Sequence, residues 1–150
     1  MRLSRWSTIS LIAITLAACT DSVDPNEVPG GYTLTDINGR TLPTYQAATP
    51  GPTLTINSAA LTLDVGAGPA QLIQSVTQFD GTQAVLTSNY TYHLKGDQLI
   101  FELSPPCPIN AQCVAPPTGR VPGTHQINLI MGSVDNMPIV YHFQRVTLAY

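Results

Sequence analysis

The chain has 150 residues, of which 43% are hydrophobic and only 10% are charged, and its formal net charge is −3. This length allows one domain with a sizeable core but leaves little room for two. Nine Asp and Glu residues outnumber six Lys and Arg. The chain therefore lacks the cluster of basic residues that binds nucleic-acid phosphates or an anionic membrane surface.

The N-terminal segment has the organisation of a signal peptide. Arg2 and Arg5 form a basic start, and an apolar run at 9–16 follows. This run is too short to span a bilayer of about 30 Å as a stable helix. It ends in Leu16-Ala17-Ala18-Cys19, which resembles the lipobox of bacterial lipoproteins. The alternative is an ordinary secretory signal with a small-residue cleavage site.

The lipobox resemblance implies cleavage before Cys19 and acylation of that residue, which would anchor the protein stably to a membrane of the cell envelope. Thr20 stands where the inner-membrane retention signal of enterobacterial lipoproteins has Asp, so the resemblance favours the outer membrane. Residues 19–30 are acidic and rich in Pro and Gly, a composition typical of a flexible tether. We expect a signal peptide at 1–18, a lipid-anchored tether at 19–30 and a folded domain at 31–150.

The composition of the folded domain favours strands. The chain holds eighteen Thr, thirteen Pro and eleven Gly. Thr is β-branched and fits a pleated sheet, whereas Pro and Gly end short elements and would break long helices. No window after the leader repeats apolar residues at helical spacing. The sequence predicts an all-β domain of eight or nine short strands.

Most strand candidates alternate apolar and polar residues, and Asn38-Gly39 is a strong hairpin-turn signal between the first two. The pairs at 54–56 and 61–63 are predicted as separate, half-buried strands. The candidate strands outside the hairpin described next are 32–37, 40–42, 54–56, 61–63, 70–79, 84–88, 127–131 and 139–143.

The clearest pattern is a hairpin over 89–103 with Gly96-Asp97 as its two-residue turn. Folding the chain about this turn places six apolar residues on one face. A slip of one residue would scatter them over both faces, so the register is well specified. The predicted pairs are Leu94 with Leu99, Tyr92 with Phe101, and Tyr90 with Leu103.

Cys107 and Cys113 lie in the run CPINAQC. In an oxidising compartment two thiols this close usually form a disulfide. A metal site is the alternative, but no His or further Cys lies nearby in the sequence. Both residues fall within 104–123, which holds six of the thirteen prolines and is predicted to be a long, stiff loop. A stiff loop loses little entropy on docking, so it is a candidate for protein recognition.

Many short strands at close spacing favour an antiparallel up-and-down barrel of about eight strands, with a β-sandwich as the alternative. Three motifs carry a family resemblance: GGYTLTDINGRTLP from residue 30, YTYHLKGDQLIFEL from residue 90, and YHFQRV from residue 141. They resemble small bacterial lipoproteins with a lipocalin-like, calycin-type barrel. The resemblance implies that fold for residues 31–150.

A barrel of this kind would turn five aromatic side chains inward, and an eight-stranded barrel is either filled by its side chains or holds one small ligand. We predict that these aromatics contact a small apolar ligand or lipid, with a packed core as the alternative. The five are Tyr90, Tyr92, Phe101, Tyr141 and Phe143.

No pattern in the sequence predicts catalysis. His93, His125 and His142 are far apart, no G-x-S-x-G motif occurs, and the carboxylates mostly flank turns. We predict no enzymatic activity, no metal and no cofactor. The first hypothesis is a ligand-binding lipoprotein. The second is an assembly factor or inhibitor that presents residues 104–123 to an envelope protein. The oligomeric state and the side of the envelope that the protein faces are not predicted.

Overall fold

In the computed structural model the described residues are 23–46, 54–66, 68–123 and 125–146. Among them ten strands form, and there is no helix that could cross a membrane. The strands are β1 Gly30–Ile37, β2 Arg40–Thr41, β3 Thr44–Gln46, β4 Leu54–Leu63, β5 Pro69–Thr77, β6 Gln83–Lys95, β7 Gln98–Leu103, β8 Thr118–Gly123, β9 Gln126–Val134 and β10 Met137–Arg145.

Eight of the ten described strands close into one antiparallel barrel. From β4 to β10 each strand pairs with the next one in the chain, and β1 pairs with both β10 and β4, which closes the ring. The predicted up-and-down barrel is confirmed. The β-sandwich alternative is wrong, because one continuous ring of paired strands leaves no second sheet to pack against it.

The two short strands, β2 and β3, extend the seam between β1 and β4. The first half of β1 pairs with the last residues of β4, but its final residues pair with β2. The first residues of β4 pair with β3. Asn38 and Gly39, which join β1 to β2, have φ angles of 52° and 76°, the positive values of a type I′ turn. The turn predicted from this dipeptide is confirmed.

Alternating side chains build the core. On β5 the inward residues Ala70, Leu72, Gln74 and Val76 are buried, whereas the residues between them are exposed or half-buried. All eight barrel strands contribute buried apolar side chains to the same cluster. The interior that results is mainly apolar, with the buried amide of Gln74 as an exception.

The β6–β7 hairpin has the predicted register. All three predicted pairs are found, with Lys95 opposite Gln98 at the turn. Tyr90, Tyr92 and Phe101 are buried on the core face. Because the turn and the apolar alternation both specify this register, local sequence was sufficient to predict it.

Two strand predictions were too short. Residues 54–56 and 61–63 belong to one ten-residue strand, β4, whose register shifts between Ile56 and Ser58. This bulge lets Ile56 and Ala59 both face the core although they lie three positions apart in the sequence. Similarly, 84–88 and the first half of the predicted hairpin form a single strand of 13 residues, β6.

The predicted loop at 104–123 is wrong in its last six residues, which form β8 between β7 and β9. Gly119 faces the core there, and a Cβ atom at this position would lie 2.9 Å from Leu99 Cβ and 2.9 Å from Leu129 Cδ2. The close packing of three strands therefore favours glycine. The glycine and proline residues of β8 therefore give a barrel strand the composition of a loop. The loop itself covers 104–117.

Residues 1–22, which include the predicted signal peptide and Cys19, lie outside the described residues. The described part of the predicted tether, 23–30, packs on the barrel. Val28 is only 1% exposed and belongs to the core. Arg145, at the end of β10, donates hydrogen bonds to the carbonyls of Glu27 and Pro29. Contacts with the barrel therefore begin before residue 31.

Candidate ligand-binding site

The connections between strands give the barrel two different ends. The closed end carries the start of β1, the end of β10, and the connections at 64–68, 96–97 and 124–125. The open end carries the connections at 38–39, 78–82 and 135–136 together with the 104–117 loop. Among the described residues, buried side chains fill the closed end, whereas a cavity lies at the open end.

Hydrogen bonds from buried side chains seal the closed end. The Tyr32 hydroxyl donates to the carbonyl of Val28, and the Tyr92 hydroxyl donates to the carbonyl of Asp64 at 2.6 Å. Burial raises the pKa of both tyrosines, so they remain protonated donors. The Arg145 guanidinium lies 5.9 Å from the centre of the Tyr32 ring. Each buried hydroxyl thus has a partner on a segment that crosses this end.

At the open end the described residues enclose a cavity of about 350 Å³. This volume lies within the range of roughly 300–1,000 Å³ typical of ligand pockets. The inward side chains of β4, β5, β6, β9 and β10 form most of its wall, and no charged residue is among the described residues that line it. Its apolar wall includes Leu54, Ile56, Leu86, Leu103 and Met131.

Two buried polar side chains border the cavity. Gln74, which is 9% exposed, donates a hydrogen bond from Nε2 to Tyr141 Oη at 3.3 Å. Burial raises the pKa of Tyr141 to about 12, and the hydrogen bond from Gln74 offsets only part of this effect. The hydroxyl is therefore neutral at physiological pH. An apolar wall with an uncharged amide and phenol suits an uncharged ligand, because an ionised group would lose its hydration without gaining a counter-charge.

The 104–117 loop forms one side of the cavity. Cys107 and Cys113 are joined by a disulfide with an S–S distance of 2.05 Å, so the predicted bond is confirmed. Val114 and Pro117, which follow it, reach the cavity. Val114 is also 83% exposed and therefore stands at the entrance. The disulfide restricts the freedom of the loop that presents this entrance residue.

The five predicted aromatic residues all face the barrel interior, but they do not form one surface. Tyr90 and Tyr141 line the cavity. Tyr92, Phe101 and Phe143 are buried without lining it. The Phe101 ring lies 5.7 Å from that of Tyr90 and 6.3 Å from that of Tyr92. These three residues form packed core between the cavity and the closed end, and ligand contact by Tyr90 and Tyr141 stays a prediction.

Sequence reasoning did not single out Gln74, Ser88 or Leu86, which also line the cavity. For Gln74 a signal was available, because it occupies an inward position of an alternating strand that is otherwise apolar. The loop residues at the entrance gave no such signal. Which of them reaches the barrel depends on the fold of the loop.

The histidines and carboxylates within the described ranges are spread over several strands and connections. Within those ranges no three potential metal ligands cluster, and His93 stands on a strand that does not pair with the strand of His142. His142 Nδ1 lies 2.6 Å from Asp36 Oδ1. Burial raises the pKa of Asp36, but hydrogen bonds from His142, Gly39 and Thr35 outweigh it, so the net pKa lies below the ordinary value. This pair connects β1 to β10.

A larger groove of about 580 Å³ lies along the outer wall of the barrel. Its polar residues include Thr62, Gln71 and Asn89, and Gln71 Nε2 donates to Asn89 Oδ1 at 3.0 Å. A groove on exposed strand faces covers a ligand on one side, whereas ligand pockets bury most of the ligand surface. The cavity at the open end is therefore the better candidate site.

Comparisons with known proteins carry no functional assignment. No protein-family model matches the sequence, and no match was found among curated proteins. Among solved structures the chain is similar to a lipocalin-like protein from Bacteroides uniformis, at 15% identity and a TM-score of 0.41. The match covers 80% of this chain and 99% of the other. The fold assignment rests on the strand pairing described above.

Proposed function

We propose that this protein is a non-catalytic binding protein of the cell envelope that takes a small apolar ligand or lipid into the open end of its barrel. The observation that carries the proposal is the cavity of about 350 Å³. A cavity of about 150 Å³ accepts benzene, so by proportion this one would hold a ligand of roughly 14 non-hydrogen atoms. A compact ring system or a short acyl chain has this size.

The proposal includes a lipid anchor at Cys19. Its support is the basic start, the short apolar run and the lipobox-like Leu16-Ala17-Ala18-Cys19. The chain reaches the barrel at the closed end, where Val28 is buried. An anchor at Cys19 would therefore lie on the closed side, and the open end would face away from the anchoring membrane. Ligand would then be exchanged with the surrounding compartment or with a partner protein.

Native mass spectrometry tests ligand binding. The protein is released from membranes of its own host and ionised from a volatile buffer. We expect a fraction of the protein to carry one neutral small molecule that collisional activation removes. A variant with the open end blocked, Ser88→Phe, is the matched control and should emerge empty. Repeated preparations in which the wild-type protein is empty as well would contradict the proposal.

The anchor has its own test. Mass spectrometry of the N-terminal peptide should show acyl chains on Cys19, and the protein should fractionate with the outer membrane. Cys19→Ala should abolish acylation and release the protein from that fraction. An unmodified Cys19 in a chain cleaved elsewhere would indicate the ordinary secretory signal and would leave the cavity proposal unaffected.

A second candidate function is protein recognition by the 104–117 loop. Ile109 is 94% exposed and Val114 is 83% exposed, and the Cys107–Cys113 disulfide restrains the segment that separates them. Exposed apolar side chains on a restrained loop favour binding to another protein. Ile109→Ser separates the two functions, because it should weaken a protein complex and leave ligand binding in the cavity unchanged.

A further inference from the structure

The interior of the barrel contains one amide whose position is not explained by packing. Gln74 faces inward on β5, in line with Leu72 and Val76, which are 1% and 0% exposed. Thr44 is the other buried polar residue in the described part of the chain. An apolar side chain of similar length would pack at this position without any need for a hydrogen-bond partner. Burying an amide is unfavourable unless both its donor and its acceptor are satisfied.

Among the described residues, only the nitrogen of this amide has a hydrogen-bond partner. Gln74 Nε2 donates to Tyr141 Oη, whereas Gln74 Oε1 accepts no hydrogen bond from any described residue. No fully buried side-chain oxygen or nitrogen in the described part of the chain lacks a partner. The Oε1 atom is therefore in contact with open space, and the space that Gln74 borders is the cavity.

We propose that Gln74 Oε1 is the recognition point of the cavity, and that it selects neutral apolar ligands carrying a hydroxyl or N–H group on the end that enters the barrel. The inference rests on the proposed function and adds the chemical class of the ligand to it. A ligand donor would complete the hydrogen bonding of the Gln74 amide. A pure hydrocarbon would displace water from Oε1 and leave it unpaired, which is unfavourable in a pocket of low polarity.

The charge and size of the cavity restrict the chemical class of the ligand further. The described residues that line the cavity are uncharged, so a carboxylate or ammonium group would enter without a counter-ion. The volume corresponds to roughly 14 non-hydrogen atoms, scaled from a benzene-sized cavity of about 150 Å³. Aromatic alcohols and compact aliphatic alcohols fit both limits.

A pair of isosteric probes tests the inference. 2-Naphthol and 2-methylnaphthalene have the same number of non-hydrogen atoms and differ in one hydroxyl or methyl group. 2-Methoxynaphthalene keeps the oxygen as an acceptor but has no donor. The protein is the chain from residue 19 onward with Cys19→Ser, which retains every described residue. The Kd of each probe is measured for this protein and for its Gln74→Met variant.

The matched control is Gln71→Met, the same substitution on the outward face of the same strand. We expect 2-naphthol to be favoured over both other probes in the wild-type and Gln71→Met proteins. In Gln74→Met this preference should fall by about 5-fold to 100-fold, the effect of one buried hydrogen bond. The ratio of the Kd values of two probes is compared between the proteins, which cancels the difference in hydrophobicity between the probes. Thermal unfolding confirms that each variant is folded, and Gln74→Leu serves if Gln74→Met is not.

The outcomes separate this inference from the function on which it rests. If all three probes bind and the preference for 2-naphthol is the same in Gln74→Met, the role of Gln74 is refuted and the cavity remains a binding site. If 2-methoxynaphthalene is preferred, the amide presents its nitrogen to the ligand, and the donor requirement is refuted. If no probe binds the wild-type protein, the ligand-binding function fails together with the inference.

Discussion

Blocking the open end should weaken ligand binding strongly without harming the fold, and Ser88→Phe is the substitution that tests this. Ser88 is half-buried on β6, pairs with Leu72 on β5 and lines the cavity. A phenyl ring takes up about 150 Å³, the size of a cavity that holds benzene. Less than two thirds of the 350 Å³ would then remain, which is too little for a two-ring ligand.

The magnitude follows from the apolar surface that would stay in water. Excluding one ring from the cavity forfeits about 1.5–3 kcal/mol, the value of burying a Phe-sized apolar group, which corresponds to about 10-fold to 150-fold in Kd. The assay is fluorescence titration with 2-naphthol. Thr87→Phe, which places the same ring on the outer face of the same strand, should change Kd by less than about 2-fold.

Circular dichroism and thermal unfolding should show that both variants are folded, because neither position belongs to the buried core. Equal loss of binding in Thr87→Phe and Ser88→Phe would indicate an indirect effect. Undiminished binding in a folded Ser88→Phe would place the ligand outside the cavity and refute the assignment of the site.

Three further predictions concern stability. Gly119→Ala should lower the free energy of unfolding in urea by about 1–3 kcal/mol through overpacking, whereas Gly123→Ala, on the same strand but with open space around its Cβ position, should be close to neutral. Asp36→Asn should destabilise the protein near pH 7. Hydrogen bonds from His142 and other groups lower the folded-state pKa of Asp36. Its contribution to stability is therefore present above the unfolded pKa of about 4 and is lost as pH falls through the folded value. If the wild-type protein and Asp36→Asn differed in free energy of unfolding by the same amount at pH 7 and pH 3, this reasoning would be contradicted. Reducing the disulfide of the 104–117 loop should cost about 2 kcal/mol on the chain-entropy model and leave the barrel folded by far-UV circular dichroism, and a loss of strand signal would show that the loop supports the barrel.

The elements that could be predicted are those whose information is local. The Asn38-Gly39 turn requires two positive φ angles, which this dipeptide adopts readily. The Gly96-Asp97 turn sets the register of the β6–β7 hairpin, and the alternation on both strands agrees with it. Local and long-range preferences coincide there, so a short window of sequence is sufficient.

The elements that were wrong or incomplete depend on distant neighbours. The pattern of apolar residues predicts two strands in place of β4, because the bulge at Asn57 reverses the alternation. The composition of β8 disfavours strands and predicts a loop there instead. The chain tolerates Gly119 in β8 because Leu99 and Leu129, from the two adjacent strands, leave no room for a Cβ atom. Neither feature can be seen within the segment itself.

The candidate site likewise combines features that follow from local sequence with features that depend on distant parts of the chain. The sequence by itself determined that the domain is all-β, that Tyr90 and Tyr141 point inward, and that Cys107 and Cys113 can form a disulfide, because alternation and spacing are properties of neighbouring residues. Only the tertiary structure decided which inward residues meet empty space and which are packed, and it brought Gln74 and the 104–117 loop to the same cavity. The physical reason is closure of the barrel. A side chain's inward direction is fixed by its own strand, but the volume left in front of it is set by the strands and loops opposite.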